Sequence, residues 1–479
     1  MDALWHADAL VAAVGATRDG EISAAITGFS IDTRTLEPGD VFVAITDQRD
    51  GHDFVSNAFA AGAAAALVRA DYERRDGDGA LFRVDDPLAA LERIGVAARA
   101  RLHPDARVIA VTGSAGKTTT KEMLRAAFEA IAPGRVHASE KSYNNHWGVP
   151  LTLARMPAGT MFGVFEIGMS HAGEIRPLTK MVRPDIAIIT SVLPVHIGNF
   201  EDGIDGIARA KAEIFEGLTA EGVALVPADS DHAEELMAAA HNHGARLQTF
   251  GEAEASNATA RIVSETPHRL EGVMSSGGRE HGFRLAIGGR HNAVNATAVL
   301  ATVGIASQAA GAVDTAAAAL ASLEMTPQGR GQVFELSDGI TLVDESYNAN
   351  PASVAAALAT QSLYPQGRRR LAVLGDMLEL GAEADALHLG LEADINEADI
   401  AALYCCGPHM KTLYDALPES RRGAWVETSS ELVAPLLAGI RGGDVIMVKG
   451  SLGSRMAVLT DALKDRYPKA PGPAGPPNR

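Results

Sequence analysis

Apolar residues in this chain gather in short runs, and the spacing between the runs changes along its length. From 107 to 323 the runs RVIAVTG, MFGVFEIGM, PDIAIITSV and GVALVPAD alternate with stretches whose apolar residues recur at helical spacing, such as KTTTKEMLRAAFEAI. That alternation predicts a largely parallel sheet with helices on its faces. Between 251 and 287 the pattern shifts to polar-flanked runs (TARIVSE, RLEGVMSS, FRLAIGG), which predict an antiparallel addition, and GRHNAVNATAVLATVGIA then predicts a loop entering a helix. The first hundred residues hold the shorter runs ITGFSIDTR, DVFVAI, AAALV and LFRV, punctuated by Pro38-Gly39 and Asp50-Gly51 and closed by the alanine-rich helix PLAALERIGVAARARL. After Met325 the chain restarts with QVFELSDGITLVDES, a hairpin turning at Asp338-Gly339, followed by the strands RRRLAVLGDM, DIAALYCCG and DVIMVKG. These shifts divide the chain into 1–104, 105–323 and 324–467, with His103-Pro104 as the first linker and the proline-rich 468–479 as a disordered tail.

Composition narrows the possibilities. Hydrophobic residues make up 47% and aromatic residues 5% of the 479 positions, as suits alanine-rich α/β packing better than a β sandwich. A formal charge of −18 argues against nucleic acid or an anionic membrane as partner, so any phosphate site must be locally basic. The only cysteines, Cys405 and Cys406, are adjacent and poorly placed to bond to each other, which points to a reducing compartment. The N-terminal stretch carries acidic residues and lacks the basic flank of a signal peptide, and no run has the apolar length of a membrane helix. A cytoplasmic protein without membrane insertion is expected.

The stretch VTGSAGKTTTK, residues 111–121, carries the clearest chemistry. A strand ending on a glycine loop that opens a helix gathers backbone N–H groups and a positive helix end around one point, which suits a phosphate. Lys117 supplies a mobile cation and Thr118 a hydroxyl for a metal. The general phosphate-loop pattern has a glycine where Val111 stands, so only its second half is present: Gly113, Gly116, Lys117 and Thr118. Glu166 lies in an apolar strand, where a carboxylate is costly to bury unless it meets a cation; it is either a Mg²⁺ ligand beside the loop or half of a salt bridge to a helix. His196, after IAIITSVLPV, and Lys211, in ARAKAEIF, read singly as a satisfied structural histidine and a solvated helix position.

Taken in order, VTGSAGKTTTKEM, EKSYNNHWGVPLTL, EIGMSHAGEI, ITSVLPVHIGNF, ARAKAEIF, GRHNAVNATA, LVDESYNANPAS and VKGS resemble the Mur ligases over about residues 22–460, and the shortened phosphate loop is the form that family uses. The resemblance implies an α/β fold of three domains: an N-terminal domain for the UDP-sugar-peptide, a central phosphate-loop sheet for ATP, and a Rossmann-like C-terminal domain for the incoming dipeptide. It implies ATP and two Mg²⁺ as cofactors, and a ligase that joins D-alanyl-D-alanine to UDP-N-acetylmuramoyl-tripeptide through an acyl phosphate; a monomer is expected, with the sequence itself leaving the oligomeric state open. Tyr347, Asn348, Asn350 and Pro351 in SYNANP, in place of the Ala-His-Thr-Pro of other branches, select the dipeptide-adding branch. The complete N-terminal unit disfavours the related folylpolyglutamate synthases.

Residue by residue, the resemblance assigns Gly113, Ser114, Ala115, Gly116, Lys117, Thr118 and Thr119 to the ATP phosphates, Asn292 and Asp344 to adenine and ribose, and Arg330 to a hinge position near the phosphates. Thr118, Glu166, His196 and Lys211 become metal-site residues, Lys211 as a carbamate, with Lys117, His196 and Lys211 the catalytic set. Substrate contacts fall to Ser30, Asp32, Thr33 and Arg34, to Gly51, His52, Asp53 and Phe54, to Asn144 and Asn145, and to Tyr347, Asn348 and Asn350. AITDQRDGHDF departs from the family's glycine-containing loop at that point, so the contacts there are the least defined.

Overall fold

The computed structural model describes residues 3–22, 25–140, 142–323 and 329–469. Its strands form three sheets of five, nine and six strands, each with its own apolar packing.

The first sheet contains Gly28–Ser30, Asp40–Val43, Ala65–Arg69 and Leu81–Val84 in parallel, plus an antiparallel edge strand, Thr17–Asp19, that the sequence pattern did not single out. The run ITGFSIDTR is a strand only as far as Ser30; Asp32 and Arg34 lie in a turn that Asp32 Oδ1 closes by accepting from the Arg34 N–H at 2.9 Å. The Pro87–Ala100 helix follows. Asp86 caps it by accepting from Leu88 N at 2.8 Å, proline fills its first turn, and Ala90, Leu91, Ile94 and Ala98 are its buried stripe.

The nine-stranded sheet runs Arg279–Leu285, Arg269–Ser276, Ala258–Thr266, Arg246–Gly251, Val223–Pro227, Ile186–Ile189, Arg107–Thr112, Phe162–Glu166, Val136–Ala138 across its width. The last seven pair in parallel; the first two add antiparallel strands, as the polar-flanked runs predicted. Arg107–Thr112 lies between the strands that follow it in opposite directions, Phe162–Glu166 and Ile186–Ile189. That is a topological switch point, where loops leaving the carboxyl ends of neighbouring strands part and leave a crevice.

The third sheet orders as Gln332–Glu335, Thr341–Glu345, Val445–Lys449, Arg370–Gly375, Ala402–Cys406, Arg422–Val426, all parallel except the first pair. The first pair is the expected hairpin, turning through Asp338 at φ 58°. The expected boundary at 323/324 adjoins residues 324–328, which lie outside the described residues. At the far end the Pro468 carbonyl still accepts from Ser337 N at 2.9 Å and Lys469 bridges Leu336; the rest of the expected tail, 470–479, lies outside the described residues.

Candidate active site

The loop after Arg107–Thr112 is built around two glycines whose positive φ and close neighbours would strain any side chain. Gly113 has φ 152°, and an added Cβ would sit 1.9 Å from Thr190 Oγ1; Gly116 has φ 80° and faces the Asn295 side chain at 3.0 Å. Neighbouring loops fix the conformation: Ser114 N donates to Ser191 O at 2.9 Å, and Ala115 N to Ser191 Oγ at 3.0 Å. The Lys117–Ile131 helix then starts with no side-chain cap at Gly116, so the first N–H groups of the helix stand uncapped at its positive end. Lys117 folds back over this cradle, donating from Nζ to the Gly113 carbonyl at 2.6 Å. Burial pushes its ammonium below the usual lysine range, Glu166 opposes that shift, and Arg330 reinforces it.

Glu166 ends its strand almost fully buried, and among the described residues it forms no salt bridge. Its carboxylate accepts from two neutral donors, Thr118 Oγ1 at 3.0 Å and Asn144 Nδ2 at 2.8 Å. A buried carboxylate held by a threonine hydroxyl and an asparagine amide, with the Lys117 ammonium near enough to act on it and a phosphate cradle alongside, is a donor set that fits Mg²⁺. The alternative of a salt bridge to a helix finds no cation within 4.0 Å of the carboxylate among the described residues, although Lys117 at the start of the neighbouring helix acts on it electrostatically.

Lys211 departs from the solvated helix position its spacing suggested. It is 4% exposed, its amine has no hydrogen-bond or ion-pair partner among the described residues, and burial, with Lys117 adding to it, drives its pKa well below the lysine range. His196 sits in the left-handed region at φ 57°. Its Nδ1 bonds to the Glu379 carboxylate of the third sheet's domain, and burial lowers its pKa while Glu379 opposes.

One cavity of about 1240 Å³ joins the phosphate loop, Glu166 and His196 to the last sheet, and Lys211 is not among the residues that line it. The cradle from Ser114 to Thr119, Asn144, Asn145, Glu166 and His196 line one side; Arg330, Tyr347, Asn348 and Asn350 line the other. Arg330 stacks on the Tyr347 ring at 4.2 Å, and Tyr347 OH reaches across to Ser142 Oγ at 3.2 Å. Asn292 lines the same space, its Nδ2 donating to Gly288 O at 2.7 Å.

Comparison with known proteins agrees with this geometry. The model of the Mur ligase middle domain matches residues 111–303, and that of the Mur ligase glutamate ligase domain matches 329–452. A UDP-N-acetylmuramoyl-tripeptide--D-alanyl-D-alanine ligase of Bacillus subtilis is 34% identical over 447 residues, 92% of this chain and 93% of that protein. The chain belongs to the Mur ligase family. A crystal structure of MurF from Acinetobacter baumannii superposes with a TM-score of 0.83 at 28% identity, covering 96% of this chain and 99% of that one. A MurF ligase from Thermotoga maritima in complex with ADP, 23% identical, has the same fold, with a TM-score of 0.76 over 92% of this chain and 97% of its own.

Within this Mur ligase, some expected positions stand apart from the cavity. Asp344 is buried, its Oδ1 accepting from Ser346 N and Oγ and its Oδ2 from Lys464 at 3.3 Å. Alternation along the strand turns the next residue, Glu345, to the cavity instead, where it pairs with Lys449 at 3.1 Å. Asn145 and Asn350 line the cavity, but their side-chain oxygens are engaged by the helices that follow: Asn350 caps its helix by accepting from Ser353 N, and Asn145 accepts from Gly148 N at the first helical residue, both at 2.9 Å. Ser30, Asp32, Thr33, Arg34 and Gly51, His52, Asp53, Phe54 do not line it. Both ring nitrogens of His52 are occupied internally, Nδ1 by Asp50 at 2.6 Å and Nε2 by Arg69 N–H at 2.9 Å. Sequence reasoning missed His291, Glu345 and Lys449, which line the cavity, and Glu379. The only signal for the pair was a charged residue at the carboxyl end of each of two apolar strands.

Proposed function

We propose that this Mur ligase joins D-alanyl-D-alanine to UDP-N-acetylmuramoyl-tripeptide, consuming ATP and releasing ADP and phosphate. The observation that carries the reading is the one cavity in which an uncapped helix start, a buried carboxylate hydrogen-bonded to Thr118 and Asn144, and the Tyr347–Asn348 segment of another domain all face the same space. It is large enough for a nucleotide and a second reactant together.

In the implied chemistry a peptide carboxylate oxygen attacks the γ-phosphorus, the bond to ADP breaks, and an acyl phosphate forms. The dipeptide amine then adds to the acyl carbon and phosphate leaves. The N–H groups at the start of the Lys117–Ile131 helix hold and orient the phosphates, and Lys117 neutralises charge where two anions must meet. Thr118 and Glu166 would hold Mg²⁺, which supplies further neutralisation when bound. With Nδ1–H donated to Glu379, neutral His196 keeps its Nε2 lone pair for a cation or a proton. A neutral, buried Lys211 amine can add to CO₂, forming a carbamate and releasing a proton, which converts it into an anionic oxygen ligand.

The test is phosphate release from ATP with UDP-MurNAc-tripeptides carrying either diaminopimelate or lysine, with and without D-alanyl-D-alanine, together with the mass of the product. Dipeptide-dependent release and a pentapeptide product are expected; release independent of any acceptor would defeat the reading. Lys117→Ala should lower turnover by ~10²-fold or more while leaving the fold intact. Intact mass of Lys211-containing peptides after trapping of the labile adduct should carry the added CO₂, and an unmodified lysine in turning-over enzyme would remove the carbamate.

A further inference from the structure

Two loops from different domains meet backbone to backbone beside the cavity. In the first, Leu193 N donates to Ser114 Oγ at 2.9 Å and its carbonyl accepts from the same hydroxyl at 3.0 Å, so the segment running on to His196 and Gly198 is tied directly to the phosphate loop. In the second, Leu378 N donates to Ser451 Oγ at 2.9 Å and Leu380 is buried, so the segment carrying Glu379 and Gly381 is rooted in the last sheet's domain. Where they meet, an added Cβ on Gly198 would lie 2.9 Å from the Cα and N of Gly381, and one on Gly381 would lie 2.8 Å from the Cα of Gly198. Gly198 N donates to the Glu379 carbonyl at 3.4 Å, and Ile197 packs against the apolar clusters of both domains.

His196 at φ 57° and Glu379 at φ 63° are both non-glycine residues in the left-handed region, and they are bonded to each other through their side chains. Such backbone is disfavoured unless the surroundings impose it, and here each strained residue is held by the other's loop. The chain of contacts therefore runs from Ser114 in the phosphate loop through Leu193 and His196 to Glu379.

We propose that these loops form a latch between the two domains, in which Glu379 is a positioning residue that orients His196 and the glycine pair permits the approach on which turnover depends. This rests on the ligase reading above. Removing the Glu379 carboxylate frees the imidazole to rotate and uncouples the last domain from the phosphate loop, without touching the nucleotide cradle itself. Glutamine retains an acceptor for the Nδ1–H and therefore most of the function. A methyl group on Gly198 blocks the approach sterically while leaving every polar group in place.

The experiment uses full-length enzyme, phosphate release with ATP, tripeptide and dipeptide, and ADP affinity by calorimetry. Glu379→Ala and Gly198→Ala should each lower kcat by ~10²-fold, with KM values and ADP affinity within about twofold of the parent, and Glu379→Gln should recover most of the loss. Near-parental kcat in Glu379→Ala would overturn the proposal. So would parallel losses of kcat and ADP affinity, which would make Glu379 part of the nucleotide site. Should Gly198→Ala fold poorly, the Glu379 pair decides alone. A parent enzyme without dipeptide-dependent turnover would sink the ligase reading instead; the latch is then read by small-angle scattering, where Gly198→Ala should be more extended than the parent, and equal dimensions would overturn it.

Discussion

The central sheet meets its neighbours in two contrasting ways. On the N-terminal side, Leu151 and Ala154 of the Gly148–Ala154 helix belong to the same apolar cluster as Phe29, Leu91 and Ile94. Trp5 Nε1 donates to the Ala154 carbonyl at 3.0 Å, Arg101 stacks on the Trp5 ring at 3.9 Å and donates to Met156 O at 2.6 Å, and Arg155 Nε donates to Phe29 O at 2.8 Å. On the C-terminal side the contacts are fewer and mostly polar: His196 with Glu379, Gly198 N with the Glu379 carbonyl, Tyr347 with Ser142, and an edge-on contact of His268 with Tyr364 at 5.4 Å, with Ile197 adding apolar packing against the last domain's cluster. Separating the first interface exposes a shared core and buried carbonyls, whereas separating the second exposes groups that water can satisfy. The active cavity lies at the second. On the ligase reading proposed above, an enzyme that admits a nucleotide and two further reactants and then excludes water from an acyl phosphate would open and close at the polar boundary.

The sharpest way to break this contrast is at Trp5. Trp5→Ala removes a ring that is 5% exposed, and with it the Arg101 stacking, so it should lower unfolding free energy by about 3–5 kcal/mol in urea titrations. A loss under about 1 kcal/mol would mean the N-terminal joint is as loose as the other.

His137 gives a second test, because its Nε2 bonds to the Thr152 carbonyl of the same Gly148–Ala154 helix at 2.7 Å. Burial lowers its pKa from 6.5 to about 4, so between those values the unfolded chain binds a proton the folded protein refuses. Its contribution is complete above pH 6.5 and is lost as pH falls toward 4, worth about 3 kcal/mol over the whole window. His137→Gln should flatten the pH dependence of the urea midpoint there; an unchanged slope would mean that the ring is not the titrating group.

The smallest effect belongs to the polar joint. Tyr347→Phe deletes the hydroxyl that reaches Ser142, and it should cost about 1 kcal/mol or less in stability because both groups rehydrate when the domains part. A drop in melting temperature comparable to that of Trp5→Ala would show that the C-terminal joint is structural and the comparison false.

Much of the site was legible because local chemistry dictated it. A strand, a glycine pair at positive φ and an uncapped helix start at Lys117 are features that suit a phosphate, and all three are set by neighbouring residues. Asp344 and Glu345 are the opposite case. Both are acidic at the end of one apolar strand, and only the pairing of that strand with Gln332–Glu335 and Val445–Lys449 turned Glu345 toward the cavity and Asp344 toward Ser346 and Lys464. Asn145 and Asn350 look like ligand-binding amides in sequence, yet a helix start beside each claims the side-chain oxygen.

By itself the sequence determined the main alternation of strands and helices, the glycine loop before Lys117 and the resemblance to the family, each carried by residues close together in the chain, while short strands such as Thr17–Asp19 and Val136–Ala138 left no such pattern. Tertiary structure alone decided which partner each polar group took: Glu166 with Thr118 and Asn144, 48 and 22 residues away, and His196 with Glu379, 183 residues away. The physical reason is that hydrophobic periodicity is a local property, read over a single turn or pleat, whereas the desolvation that acts on the Lys211 amine and the burial of Glu166 exist only once distant segments have closed over them.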